Sequence, residues 1–430
     1  MTEQTPVKPE SCAEESVAIP SQTIVRLRHL LAGGDRHAAG SIQLIGLSAL
    51  RTELGDRWGS VKARVHDQTE RLLVRHMGPS DVWLRADEAN YLVVFATLDR
   101  QAGELVSGRI VAELHRLMLG SADTSRIAVR SIVTEIDGHL VVEEKSLDQL
   151  MASLLQQSAA SPPSITEVGE GRPVGATVAS ELEAFRPDIC FRPVFDVSHK
   201  VLSTYVCHPD GATKRLLGAL STDEMRYEEH MFEADVEVLR RSVEIYGELY
   251  QNSFRYMQNV TVGFSTLSVG RYRREYISVC HEIPVHLRPF MVFVLHGVPP
   301  GVPYGRVAEI TTVLKSYCRA ILVLIDDGTP NLAAFAQAGV RGLGVTIQPG
   351  EPETRAANRI NSLGAHVRRH GMLFFVDGIR TAAMLRVAGD AGASYVAGPL
   401  IGGEIDVPEH MKHVTERELI QRSAKLTRRR

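Results

Sequence analysis

The chain has 430 residues, 44% hydrophobic and 23% charged, with a formal net charge of −3. That balance gives ample core for two or three domains and no basic field that would make nucleic acid an expected partner. No apolar run approaches the ~18–20 residues of a membrane span, and the acidic opening MTEQTPVKPESCAEESVAIP has no apolar centre of a secretory signal. The five cysteines (Cys12, Cys190, Cys207, Cys280, Cys318) are widely spaced without a CxxC pair. They read as reduced thiols of a cytoplasmic protein, and their spacing shows no zinc site.

Residues 1–20 are polar and acidic with few large apolar side chains, and read as disordered. A short helix is expected over 21–34, with Ile24, Leu27, Leu30 and Leu31 on one face and Gly33-Gly34 at its end. The first domain is expected over 41–150. Its pattern is strand 42–47, helix 61–77, strands 82–84 and 91–95, helix 104–119, and strands 127–136 and 140–143 joined by an Asp137-Gly138 hairpin turn.

A linker is expected over 158–177, which carries three Pro, three Gly and three Ser. A second domain follows over 186–405. Strand runs at 191–197, 260–264, 291–295, 321–325, 342–347, 373–376 and 395–396 alternate with helices at 231–249, 307–317, 331–337, 354–369 and 381–391. Such alternation predicts a parallel sheet closed as a barrel, and an open doubly wound sheet fits almost as well. Asp377-Gly378 at the carboxyl end of a strand lies where barrels of this kind place their chemistry. Residues 406–430 read as a basic tail, with Arg422, Lys425 and Arg428-Arg429-Arg430.

Two resemblances sharpen this reading. RADEANYLVVF (85–95) resembles the hairpin of a GGDEF domain, the diguanylate cyclase fold, whose signature has the form RxGGDEFxVLL. Arg85, Tyr91 and the apolar return strand are in register, while Asp87-Glu88-Ala89-Asn90-Tyr91 replaces the pentad. The second domain resembles an EAL domain, the cyclic di-GMP phosphodiesterase barrel. The family's YQPIVD strand matches Phe191-Arg192-Pro193-Val194-Phe195-Asp196, and its AEGVE matches Val376-Asp377-Gly378-Ile379-Arg380. The resemblance tips the choice towards the barrel. The expected fold class is therefore α/β, a GGDEF-like α+β domain followed by an EAL-like (β/α)8 TIM-type barrel.

The resemblance also implies which residues matter. An active EAL barrel holds Mg²⁺ or Mn²⁺ on strand-end oxygen ligands, and the metal activates water. In this chain the EAL tripeptide falls on Tyr205-Val206-Cys207, and a phenol titrating near 10 is a poor ligand. The family's NxS falls on Gly263-Phe264-Ser265, its EITE strand on the acid-free MVFVLHGV (291–298), and its KxD on Gly344-Val345-Thr346. DDFGTG falls on Asp326-Asp327-Gly328-Thr329. The cyclase half has no acid between Ser41 and Thr52, and its Asp87-Glu88 stands two places early.

Plainer readings stand beside these. Asp326-Asp327 reads first as a strand-terminating loop and helix cap, and Asp87-Glu88 as a solvated hairpin tip. His208-Pro209-Asp210-Gly211 reads as turn chemistry rather than a metal site, and Arg192 can pair with the nearby Asp196. His281, His286 and His296 lack ligand spacing.

The expected function is a non-catalytic signalling or scaffold protein acting through protein partners, with no catalytic residues, no resident metal and no cofactor. Homodimerisation is left open. The alternative is a non-catalytic cyclic di-GMP receptor using Arg192, Asp326, Asp327, Asp377 and Arg380. A second alternative is a phosphodiesterase dependent on Mg²⁺ or Mn²⁺.

Overall fold

Short apolar runs bounded by turn residues become strands in both halves of the chain. The computed structural model describes residues 14–17, 42–78, 80–123, 127–136, 139–152, 185, 187–220, 223–325 and 331–427. The helix expected over 21–34, the linker over 158–177, the Asp137-Gly138 turn, Asp326, Asp327 and Arg428–Arg430 lie outside these residues. Two compact units divide the chain, Met1–Gly169 and Glu170–Arg430.

The first unit is built on β1 (Glu14–Val17), β2 (Ile42–Gly46), β3 (Val82–Arg85), β4 (Asn90–Val94), β5 (Ala128–Ile136) and β6 (His139–Ser146), with helices α1 (Ser48–Leu54), α2 (Trp58–His76) and α3 (Arg100–Leu119). The sheet order is β1-β6-β5-β2-β4-β3, and every pairing is antiparallel. Its strands β5-β2-β4-β3 follow the split βαβ order. Leu44, Ala86, Leu92, Val94 and Ile132 form a core cluster on it. Asp99 starts α3 by accepting a hydrogen bond from the Ala102 N–H, and Gly120 at φ 76° ends it. One expectation needs correction. Glu14–Val17 lies within the stretch read as disordered, yet pairs with 140–143 as β1. Its four residues are too few for composition to reveal.

The second unit contains β7 (Ile189–Asp196), β8 (Val201–Pro209), α4 (Gly211–Ala219), α5 (Glu224–Gln251), β9 (Met257–Gly263), α6 (Phe264–Ser268), α7 (Gly270–His281), β10 (Met291–His296), α8 (Tyr304–Leu314), β11 (Ala320–Ile325), α9 (Leu332–Gln337), β12 (Gly342–Thr346), α10 (Glu353–Arg369), β13 (Leu373–Asp377), α11 (Ala382–Asp390), β14 (Tyr395–Ala397), β15 (Lys412–His413) and α12 (Glu416–Thr427). Strands β7 to β14 run in the order β8-β7-β14-β13-β12-β11-β10-β9, and the β8–β9 pairing closes the barrel.

The barrel differs from the all-parallel expectation in one strand. β7 is antiparallel to both β8 and β14, while the other seven strands are parallel. The cause is the connection. Only 197–200 separate β7 from β8, and a parallel pair needs a crossover of a dozen or more residues. Lys200, at φ 53°, completes the tight turn. The residues read as a basic tail also carry structure. β15 pairs with β8, and Val414 and Leu419 are buried.

Candidate functional site

Side chains alternate across a strand, so each barrel strand sends every second residue inward. Cross-strand register identifies the inward set. Arg192 lies opposite Val206, Val194 opposite Thr204, Val294 opposite Thr261, Leu324 opposite Gly344, and Thr346 opposite Asp377. All of these except Gly344 line one cavity of about 960 Å³ inside the barrel. Most of its wall is aliphatic or aromatic, including Met257, Val292, Leu322 and Phe375. Arg192, His208, Lys214, His296, Thr346, Asp377 and Arg380 lie towards the carboxyl ends of the parallel strands, while Asn259 and Arg319 line the cavity nearer the amino ends.

Arg192, Asp377 and Arg380 therefore do share a site. Arg192 does not pair with Asp196, as its strand position suggested. Its Nη2 donates to Asp377 Oδ2 at 2.7 Å. Asp196 instead accepts from the Ser198 and His199 backbone N–H groups and closes the β7–β8 turn. The second Asp377 oxygen accepts from the Gly378 N–H at 2.7 Å. Gly378 is at φ +87°, and a Cβ there would stand 2.4 Å from the Ile347 carbonyl, so only glycine fits. Arg380 donates to the Gln348 carbonyl at 3.1 Å. Asp377 is the only carboxylate among the described cavity-lining residues.

Three of the positions matched to the family's functional residues, Tyr205, Gly263 and Gly344, are closed by packing. Tyr205 points out of the barrel and is buried, while Thr204, Val206 and His208 face the cavity. Behind Gly263 stands Asp235 of α5, fully buried. It accepts from the Gly263 N–H at 2.8 Å and the Thr266 hydroxyl at 2.6 Å. Burial drives its carboxyl up to about 7, against the opposing pull of those two bonds. A Cβ on Gly263 would meet Asp235 Oδ2 at 3.2 Å. At Gly344 the Phe375 ring occupies the place of a side chain, 2.5 Å from where a Cβ would be. Burial, then Lys214, lowers His296 to about 4, so it is neutral at pH 7.

Sequence reasoning missed a second group on the rim. Cys190 lies opposite His208 in the β7–β8 ladder, and the backbone of Ile405 exchanges hydrogen bonds with Phe191. Those pairings bring Cys190, His208 and Glu404 together, with ligand atoms all within 4.8 Å of one another. Cys190 Sγ is 3.9 Å from His208 Nε2, which is 3.7 Å from Glu404 Oε1. His208 Nδ1 lies 2.8 Å from the Pro209 carbonyl and 2.7 Å from Lys214 Nζ. Burial, then the charges of Lys214 and Arg192, holds His208 well below its ordinary value. Burial, then Glu404, pushes the Cys190 thiol up to about 12. As expected of turn chemistry, Asp210 starts α4 by accepting from the Thr213 N–H at 2.8 Å.

In the first unit, the hairpin acids are already engaged. Asp87 spends its oxygens on the Ala89 N–H and the Asn90 side chain, at 2.6 and 2.8 Å. Glu88 is exposed and pairs with Lys62 at 3.0 Å.

No protein-family model matches the chain, and no curated protein is similar to it in sequence. Among solved structures, it is similar to the FimX EAL domain from Pseudomonas aeruginosa bound to c-di-GMP, at 17% identity and a TM-score of 0.41, over 54% of this chain and 96% of that one. The EAL domain of Mycobacterium smegmatis DcpA is 15% identical with a TM-score of 0.36, over 56% and 98%. The Bacillus subtilis YkuI protein, with an EAL domain, in complex with c-di-GMP and calcium, is 12% identical with a TM-score of 0.42, over 59% and 62%. The barrel assignment stands on the strand pairing described above. Among the described residues, no helix is long and apolar enough to cross a membrane.

Proposed function

We propose that this chain is a non-catalytic signalling or scaffold protein, built on a degenerate GGDEF-like domain and an EAL-like barrel, and acting through contacts with other proteins. The observation that carries the reading is the inner face of the barrel. Hydrolysis of a phosphodiester by a hard divalent cation needs several oxygen ligands and a group to manage the attacking water. The strand ends matched to the family's ligands carry Tyr205, which points outward, Gly263, Val294 and Gly344, and Asp377 is already neutralised by Arg192. In the first unit, Asp87 is consumed by its own hairpin. The test is incubation of the purified chain with cyclic di-GMP and Mg²⁺ or Mn²⁺, following linear product. No turnover is expected. Turnover abolished by Asp377→Ala would overturn the reading.

A second reading, a non-catalytic cyclic di-GMP receptor, is favoured by one observation: Arg192, Lys214 and Arg380 line a cavity within the usual size of a ligand site. Arg192 is engaged by Asp377 and Arg380 by backbone carbonyls, so a dianion must displace existing bonds. Expected affinity is correspondingly weak, with Kd on the order of 100 μM or worse. Titration calorimetry giving low-micromolar affinity, lost in Arg192→Ala, would put the receptor reading first.

A further inference from the structure

We propose that Cys190, His208 and Glu404 form a zinc-binding centre on the rim of the barrel, with water completing the coordination. It is distinct from the oxygen-ligand positions discussed above and independent of the signalling reading. One thiol, one imidazole and one carboxylate are a donor set that suits zinc better than Mg²⁺ or Mn²⁺. The three ligand atoms lie within 4.8 Å of one another, close enough to converge on one ion. Bond lengths near 2.3 Å to sulfur and 2.0–2.2 Å to nitrogen and oxygen require ligand separations of about 3.6 Å for S···N and about 3.3 Å for N···O. The separations through His208 Nε2 are 3.9 and 3.7 Å, but Cys190 Sγ is nearer Nδ1, at 3.4 Å, so the imidazole must also turn to aim Nε2 at the sulfur. Backbone pairing fixes the positions: Cys190 and His208 are ladder partners, and Glu404 precedes Ile405, which is bonded to Phe191.

The environment of the imidazole supports the same assignment. A metal-bound histidine almost always donates its other ring N–H to a carbonyl or carboxylate. His208 Nδ1 lies 2.8 Å from the Pro209 carbonyl, which leaves Nε2, 3.7 Å from Glu404 Oε1, as the lone-pair donor. Lys214 competes for this state. Its ammonium sits 2.7 Å from Nδ1 and 3.4 Å from Glu404 Oε1, a place where a cation is stabilised. Nδ1 cannot both accept from Lys214 and donate to Pro209, so zinc binding requires Lys214 to withdraw. Its side chain is 44% exposed, which lets it do so. The exchange balances simply. The Cys190 thiol releases its proton to solvent as the zinc–sulfur bond forms, Glu404 contributes its carboxylate, and His208 keeps its Nδ1 proton.

The test is titration of the full chain with Co²⁺, followed by displacement with Zn²⁺. One equivalent should give a thiolate-to-cobalt charge-transfer band in the near ultraviolet and the visible bands of a tetrahedral site, both removed by Zn²⁺. Cys190→Ser should abolish the charge-transfer band. Glu404→Gln, at an exposed position that keeps the fold, should weaken zinc binding by at least the ~10–100-fold that loss of an outer-shell partner costs. Lys214→Met should strengthen it. Absence of the thiolate band, its survival in Cys190→Ser, or unchanged affinity in Glu404→Gln would overturn the proposal.

Discussion

The two sides of the barrel rim are built differently. On the β7–β8 side, Cys190, Arg192, His208 and Lys214 face one another across a few ångströms, with Asp377 and Glu404 as their acidic partners. On the β9–β12 side, the positions matched to ligands are Gly263, Val294 and Gly344. The space next to two of them is filled from elsewhere, by the Asp235 carboxylate and the Phe375 ring. The difference teaches that loss of a ligand here is not a vacancy waiting for one side chain. Neighbours have repacked into the space, and close-packed interiors do not yield it cheaply.

The largest expected effect comes from Asp235, the acid buried behind Gly263. Its carboxyl is raised by burial to about 7 in the folded chain, from an ordinary 3.8. Below about pH 4 it is protonated both folded and unfolded, and costs nothing. As pH rises from 4 to 7, the unfolded carboxyl ionises while the folded one resists, so the folded state is penalised. Stability should therefore fall across that window and level off above pH 7, by up to ~4 kcal/mol. Asp235→Asn keeps an oxygen acceptor for Gly263 and Thr266 and removes the titration. Denaturant unfolding between pH 4 and 8 should show the variant gaining on the parent chain as pH rises. Parallel curves would mean that Asp235 ionises freely and that this side of the rim is looser than described.

Next in size is Gly344→Lys, which places a long side chain where the Phe375 ring lies. Overpacking should cost ~1–3 kcal/mol. Phe375→Ala alone should also destabilise, by opening a void. Combined, the two changes should be less costly than their sum by ~1 kcal/mol or more, because the second makes room for the first. Additive losses in urea unfolding would show that the ring does not exclude a side chain at this position.

How much of this contrast is visible without the fold follows from local chemistry. Strands such as Met291–His296 and Leu373–Asp377 are apolar runs between turn residues, so they are read directly, as is Asp377 at a strand end, whereas Arg192 and Arg380 are placed only by the family resemblance. β8 is harder. VLSTYVCHP mixes Ser203, Thr204 and His208 into the run and ends in a turn signature, which masked it and hid the antiparallel sense of β7. Cys190, His208 and Glu404 carry no local signal. They are joined by strand register across 18 residues and by one backbone pairing near the end of the barrel. Packing that excludes a ligand, as at Gly344, is likewise a property of the neighbouring strand. The resemblance placed Tyr205 at a ligand position, and strand pleat turned it outward.

The smallest effect concerns the ion pair between Arg192 and Asp377. Arg192 and Asp377 are 20% and 16% exposed, so they are partly screened, and the full penalty of a deeply buried pair does not apply. Arg192→Ala and Asp377→Ala should each cost ~1–2 kcal/mol, with a coupling of ~0.5–1 kcal/mol in the double variant. Raising the salt concentration should reduce the coupling only in part, because the pair faces a largely apolar cavity. The result also bears on function. A guanidinium committed to Asp377 must give up that bond before it can hold a phosphate, and the coupling energy measures how much affinity is lost in doing so. If the two losses are simply additive, Arg192 is free to serve an anionic ligand, and the cyclic di-GMP receptor reading gains at the expense of the scaffold.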